Sequence, residues 1–497
     1  MRSLKRFLAV ALSAAMVLSI TACGKKNQEV VTEQVVVANG DQGAAKTTEK
    51  RTNDIYIGTW WMQHYDSADT KLEDSSDYLV AQEKEDDDEN TKAEKAVNRK
   101  QLETRFANVK KIEEKYGIKF FWKNLTYQGV KESINTSILA GTPDCDIYLT
   151  NAELAIPAQA NGYAIDLKEL LPADHDLFTD QVVMSYLDLG DGKACILKRQ
   201  GGMANTHPLA FNVQLLEENN LEDPRVLWER GEWTWDKFNE YLVALTQDTD
   251  GDGQVDQYGF AGYPVDYLEE LMLSNGANIA ANKTEGLSDS KMTEVLQQIY
   301  DMNNTWNVCL PVDRDANEND IRLKYRNGNI AFWMGDVWLN QQSGSDYDWD
   351  GSLGGKTLPF DMAYMHWPVG PSGNAETDPM LNDVDGELYI IPAGVEDPLT
   401  VFNLLYDLWN WYDGDTVVRD DPATLNWWID ASGRTDEYRQ ANFKTQTEIM
   451  AKTTVDLWKS LGVNYDLWSL VDGTVTPAQF QETYKQQVQD ALDARMK

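Results

Sequence analysis

Cysteine and histidine are scarce in this chain, with four of each in 497 residues. Cys23, Cys145, Cys195 and Cys309 show no metal-ligand spacing. His64, His175, His207 and His366 form no H-E-x-x-H arrangement. Redox and zinc chemistry are disfavoured by both shortages. Three thiols are left once Cys23 is set apart, an odd number for a disulfide framework; one pair could bridge, but single buried thiols are expected. Long apolar runs are lacking too. Phe7–Ile20 is the longest apolar run, and no stretch is long enough to span a bilayer. Positive charge is short: 44 Lys and Arg stand against 81 Asp and Glu, for a net charge of −37. Such a surface repels phosphate backbones, so nucleic acid is excluded as a partner, while solubility and cation binding are favoured.

What is present begins at the amino terminus. Arg2, Lys5 and Arg6 form a positive region ahead of the apolar stretch, which suits a signal peptide and is too short for a stable span. It ends Ile20-Thr21-Ala22-Cys23-Gly24, which resembles a bacterial lipobox. That resemblance implies cleavage before Cys23, a lipid on its sulfur, and Lys25 and Lys26 near anionic headgroups. Residues 1–22 are therefore expected to be a lipoprotein signal peptide. Its loss removes three basic residues, taking the charge from −37 to −40, and leaves 475 residues, enough for two lobes. Residues 23–53, rich in Gln, Thr, Lys and Gly, read as a lipid-anchored flexible linker.

The folded body should start at Ile55-Tyr56-Ile57-Gly58, a strand ending at Gly58. An acidic segment that includes 83–89 follows, then helix over 93–116 stopped by Gly117, and a second strand at 118–122. Helix is expected over 127–139, broken by Gly141-Thr142-Pro143, and a short buried strand over 146–149. This alternation predicts right-handed βαβ units and a parallel-rich sheet in an α/β fold. The later chain is more helical, at 235–245, 292–306, 399–411 and from Pro477 on.

One segment stands apart. Asp248, Asp250 and Asp252 precede Gly253, Gln254 and Asp256 with the D-x-D-x-D-G spacing of an EF-hand loop. Alternate carboxylates converge on a hard cation because the glycine permits a sharp turn. Gln254 would give its carbonyl, and Asp256 a direct or water-mediated ligand. Position twelve is Gly259, which has no carboxylate to offer. A structural calcium ion is expected here, and no catalytic cofactor.

Five strings in order resemble the extracellular solute-binding lipoproteins of carbohydrate ABC importers, the maltose-binding-protein-like family. They are Ala140-Gly141-Thr142-Pro143-Asp144-Cys145-Asp146-Ile147 with the later Asn161–Leu167; Leu209-Ala210-Phe211-Asn212 with Thr234-Trp235-Asp236-Lys237-Phe238; Arg326–Trp338; Pro368-Val369-Gly370-Pro371; and Tyr389–Gly394 followed by Pro398. A departure occurs at Ala194–Lys198, where the family often has Tyr-Gly-x-Pro. The resemblance implies a two-lobed periplasmic-binding-protein fold of type II, hinged, with ligand between the lobes. Lobe one would hold 54–204 plus 384–435, and lobe two 205–383 plus 436–497.

A sugar ring needs aromatic faces for stacking and carboxylates or amides for its hydroxyls, and the chain has seventeen Trp and twenty-two Tyr. Trp60 and Trp61 follow the first strand, and Asn151 and Glu153 the third, at the sheet edge where open α/β sheets take ligands. The resemblance adds Asn205 at a hinge, Tyr263 and Trp338 as stacking residues of lobe two, and Trp427 with Trp428 near a third crossing. Trp235, Trp409 and Trp458, on helical stretches, are expected to be packing. The function implied is capture of an oligosaccharide and delivery to ABC permease subunits, by a monomer lipid-anchored to the outer face of the bacterial cell membrane, with a periplasmic face left open. Two rivals remain: a cage for a cationic amine or polyamine in the same fold, and a secreted glycoside hydrolase using two of the abundant acids.

Overall fold

The computed structural model describes residues 54–60, 71–75, 78–79, 81–84, 89–179, 191–198, 206–281, 283–312, 314, 325–334, 360–383, 387–410 and 435–495. Cys23, Trp61, Asn205, Trp338, Trp427 and Trp428 lie outside these residues, as do the proposed signal peptide and linker. No described helix is long and apolar enough to cross a membrane.

The first sheet is built from β1 (Ile55–Thr59), β2 (Phe120–Asn124), β3 (Ile147–Thr150), β4 (Leu197–Lys198) and, returning late in the chain, β10 (Leu388–Ile390). Its order is β2-β1-β3-β10-β4. The first three strands are parallel, and β10 runs antiparallel to both neighbours. Both faces are covered, which explains why β3 reads as a continuous apolar run. Ile55, Ile57, Ile147, Leu149 and Tyr389 pack toward α1 (Glu89–Tyr116) and a late helix, Pro398–Trp409. Tyr148, Leu388 and Ile390 face α2 (Tyr127–Ser137) and α3 (Ala152–Ala160). Gly58 lies inside β1 rather than ending it. A Cβ there would come within 2.9 Å of the Tyr148 ring on the neighbouring strand.

The second sheet holds β5 (Leu209–Asn212), β6 (Tyr258–Ala261), β7 (Ile330–Met334) and β8 (Met362–Met365), ordered β6-β7-β5-β8. Leu209, Phe211, Phe260, Ala363 and Met365 face the main core. Ala210, Ala261, Trp333 and Tyr364 face a separate aromatic cluster, in which Tyr325 stacks on Trp333 at 4.4 Å. Helices α4 (Trp235–Leu245), α5 (Pro264–Ser274) and α6 (Ser290–Tyr300) supply the core side. The edge strand β8 is blunted by α7 (Asp436–Met450). There Asn442 accepts from the Tyr364 amide at 2.8 Å and donates to the Met362 carbonyl at 3.2 Å, in place of another strand. β9 (Leu381–Asn382), just before the return to β10, pairs in parallel with β11 (Thr453–Thr454), which comes after α7.

Several residues of the resemblance have structural duties. Asn212 caps the helix after β5 by accepting from Leu215 N, and Thr234 caps α4 by accepting from Lys237 N. Gly370 leaves room for the Asn275 amide, which would lie 2.3 Å from a Cβ. Trp235, Trp409 and Trp458 are buried, as expected. Cys145 and Cys195 are buried free thiols and Cys309 is a half-buried one. Burial pushes Cys145 up to about 11 and Cys195 to about 12.

Candidate ligand-binding cleft

Parallel β1, β2 and β3 end together, so the residues following them meet at one edge of the first sheet. Trp60 comes after β1, Tyr127 after β2, Asn151 and Glu153 after β3. The half-buried Trp60 meets Tyr127 edge to face at 5.4 Å and 81°. Tyr127 in turn donates its hydroxyl hydrogen to Glu153 Oε2 at 2.9 Å. The residue before Tyr127, Thr126, has φ 65, a conformation side chains rarely take, and its hydroxyl oxygen accepts from Gly129 N. An aromatic ring, a phenol and a carboxylate are thus linked in series at the expected edge. Asn151 plays a different part: its side-chain oxygen accepts from Leu154 N and caps α3. Tyr127 is not among the candidates that the sequence singles out, although the rule that points to Trp60 and Glu153 points to it as well once applied to the second strand.

On the second sheet Tyr263 follows β6 at the turn into α5. Its ring meets that of Trp468 edge-on at 5.8 Å and 83°. Trp468 sits on a short helix, Leu467–Val471, more than two hundred residues away in sequence, with no local signal to reveal it. Between the α2–α3 pair and residues 459–462 lies a cavity of about 190 Å³. Lys131, Asn135 and Glu153 line it from the first sheet's helices, and Lys459 and Ser460 from the opposite wall. The wall bearing Lys459 is tethered to α5, where buried Glu269 accepts from Lys459 Nζ at 3.3 Å. Carboxylate, amide and ammonium groups therefore converge on one space with aromatic rings nearby, a combination suited to a polyhydroxylated ligand.

The loop between α4 and β6 brings the carboxylates of Asp248, Asp250 and Asp256 within 4.8 Å of one another. That spacing fits a shared oxygen-ligated cation. Asp252 is not in this group; its carboxylate accepts from Gln254 N. Gly251 and Gly253 donate their amides to Asp248, and Thr249 donates twice to Asp256, which holds the Asp256 carboxyl below its usual range. Gly259 has a structural reason to lack the twelfth-position carboxylate. Any Cβ there would lie 2.4 Å from the Leu242 carbonyl oxygen on α4.

With this geometry in hand, the family can be read. The description "bacterial extracellular solute-binding protein" matches residues 107–406, which contain α2, α3, the acidic loop 248–256 and most of both sheets. The chain belongs to the bacterial extracellular solute-binding proteins. No curated protein sequence matches it. Solved solute-binding proteins share its fold. One is the GacH receptor of Streptomyces glaucescens, determined unliganded and with acarbose, at 13% identity over 89% of this chain and 99% of that one, TM-score 0.56. Another is a Thermotoga lettingae ABC transporter solute-binding protein bound with α-D-tagatose, at 13% identity, 89% and 100% coverage, TM-score 0.54. A third is a Listeria monocytogenes ABC substrate-binding protein in complex with cycloalternan, at 14% identity, 89% and 100% coverage, TM-score 0.54. The fold is the mixed α/β, two-lobed periplasmic-binding-protein fold, with one sheet of five strands and one of four.

Proposed function

We propose that this solute-binding protein captures a neutral carbohydrate, an oligosaccharide, between its lobes and delivers it to the permease of an ABC importer. The observation that carries the reading is the series Trp60–Tyr127–Glu153 at the edge of the first sheet. An aromatic face suits the apolar side of a sugar ring, and a carboxylate oriented by a phenol suits its hydroxyls. The sugars bound by similarly folded receptors support it. Lys131 and Lys459 beside the same cavity count against a cage for cationic amines. Binding needs no bond to be broken, so the hydrolase reading has nothing to add.

In this reading lobe one comprises 54–204 and 384–435, lobe two 205–383 and 436–497. Trp61, Asn205, Tyr263, Trp338, Trp427 and Trp428 complete the ligand contacts. Residues 1–22 are a signal peptide, Cys23 carries the lipid, and the protein works as a monomer on the outer face of the cell membrane. Asp248, Asp250 and Asp256, with the Gln254 carbonyl, hold a structural calcium ion that pins the loop.

A thermal-shift screen tests this. The chain is heated with neutral oligosaccharides, simple sugars and spermidine in turn. A ligand at a hundred times its Kd adds about 2.7 kcal/mol to the native state. A rise with one glycan class, the glycan recovered intact, supports the carbohydrate reading. A rise with spermidine alone, or disappearance of the glycan, sinks it. For the anchor, Cys23→Ser moves the protein from membranes to the soluble fraction.

A further inference from the structure

Glu269 and Glu270 are adjacent on α5, and both are buried, Glu269 at 1% exposure. Consecutive buried carboxylates are costly unless each is fully partnered. Glu270 Oε1 lies 3.2 Å from His207 Nδ1, on the passage leading from β4 into β5. Glu269 serves more elements. Its Oε2 accepts from Trp458 Nε1 and from Asn382 Nδ2, each at 2.8 Å, and its Oε1 accepts from Lys459 Nζ at 3.3 Å.

Those partners have separate structural duties. Asn382 belongs to β9, on the way back to the first sheet. Its side chain also accepts from Asp456 N at 2.7 Å and donates to Asp456 O at 3.0 Å. The Asp456 carboxylate then receives the amides of Ile279, Ala280 and Trp458. The next residue, Asp383, pairs with Lys198 on β4. Trp458 and Lys459 open the turn 458–460, and Lys459, Ser460 and Gly462 form the wall of the 190 Å³ cavity facing Glu153 and Asn135. One buried carboxylate on α5 thus touches both the return passage between the sheets and the wall of the interlobe cavity.

We infer that Glu269 is a positioning residue of the ligand cleft, coupling the placement of the cavity wall at 458–462 to the passage at Asn382–Asp383, so that hinge position and ligand capture depend on one carboxylate. The ligand arm of this inference rests on the carbohydrate reading; the positional arm does not. Nothing here requires Glu269 to touch ligand, since its own oxygens are filled by Trp458, Asn382 and Lys459.

Glu269→Gln in the full chain tests it, with Asn442→Ala as a control. Asn442 is also fully buried and bridges α7 to β8, away from the cavity wall. Gln at 269 keeps one acceptor oxygen but turns an amide donor toward donors that already surround it. Two quantities are read: amide hydrogen exchange at 458–462, and Kd for maltotetraose. The expected result is exchange at 458–462 accelerated and affinity weakened by roughly tenfold or more in Glu269→Gln. Asn442→Ala should loosen 362–365 and leave both readings unchanged. Unaltered protection at 458–462 in Glu269→Gln overturns the inference, as does an equal loss of affinity in the control. A wild-type chain that binds no maltotetraose counts against the ligand reading alone, because exchange at 458–462 still decides the positioning role without any ligand.

Discussion

The half-buried Lys198 on β4 and the buried Asp383 just beyond β9 form an ion pair that links two passages between the sheets. Burial lowers the pKa of Lys198, against the raising effect of Asp383, so the pair is under tension between desolvation and attraction. Ala194–Lys198 stands where the resemblance leads one to expect Tyr-Gly-x-Pro, yet a strand forms and pairs with β10. Removing one partner strands the other charge in a poorly solvated site. Lys198→Met is therefore expected to cost about 3–5 kcal/mol in urea unfolding. The double variant Lys198→Met with Asp383→Asn should recover a good part of that loss. Equal destabilisation of the single and double variants would mean that the pair itself has no special place in the hinge.

The pair His207–Glu270 makes stability depend on pH. Burial raises the Glu270 carboxyl to about 7, with His207 pulling it back; Glu269 on the same helix and Lys459 are the other charges acting on it. Its folded value lies above the ordinary 4.5, so the native state binds more protons than the unfolded chain between those limits. This contribution is favourable in acid and is lost as pH rises toward 7. Glu270→Gln should therefore gain stability relative to wild type at pH 8 and show no gain near pH 4.5. His366 acts in the opposite sense. Burial lowers it to about 4 where it stacks on Trp228, so stability falls as pH drops from 6.5 toward 4. His366→Gln should flatten that acid limb. Unfolding midpoints across pH 4–8 for the two variants separate the effects. Parallel profiles for wild type and Glu270→Gln would remove Glu270 from the account.

Trp60, Tyr127 and Glu153 should fail in different ways if they form one recognition unit. Trp60→Ala removes the ring that both Tyr127 and a sugar would lean on, and should weaken glycan binding by roughly 1–3 kcal/mol. Tyr127→Phe keeps the ring contact with Trp60 but leaves Glu153 without its donor. Its loss should be smaller, and should vanish in a Glu153→Gln background. Calorimetric titration of wild type, Tyr127→Phe, Glu153→Gln and their double variant with the glycan found by thermal shift gives the coupling directly. Additive effects of Tyr127 and Glu153 would show that the hydrogen bond between them does not orient the carboxylate for ligand.

How much of this was legible beforehand depended on how local each cause was. β3 was readable because burial on both faces leaves a plain apolar run, and the place of Trp60 was readable because it directly follows a strand. Asn151 has a local reason to be where it is: Asn-Ala-Glu-Leu is a helix-start signal, and the side chain caps its own helix. Gly58 looked like a strand end, and only the Tyr148 ring across the sheet shows why it lies within β1. Glu269 was beyond reach. Two adjacent glutamates on a helix read as a solvated face, and its partners Asn382, Trp458 and Lys459 lie more than a hundred residues away in sequence.

The cation loop offers a test in which geometry and sequence pull apart. The EF-hand spacing anticipated five ligands, whereas the carboxylates that converge belong to Asp248, Asp250 and Asp256, and Asp252 is turned to the Gln254 amide. Gly259 could not be exchanged for an acid without driving a Cβ into the Leu242 carbonyl, so the loop's position against α4 forbids the twelfth ligand. With three carboxylates and an incomplete cage, the affinity for calcium should be modest and should depend on each acid. Calcium at a hundred times its Kd should stabilise the protein by about 2.7 kcal/mol, reversibly with chelator. Magnesium should do less, because it demands a tighter octahedron and gives up water reluctantly. Asp250→Asn should abolish most of the calcium response and Asp252→Asn little of it. Thermal unfolding with calcium, magnesium and chelator decides the matter. Equal responses of the two variants would mean that the loop rearranges around the ion to recruit Asp252, and no response in wild type would mean that the loop is an acidic turn held by its own amides.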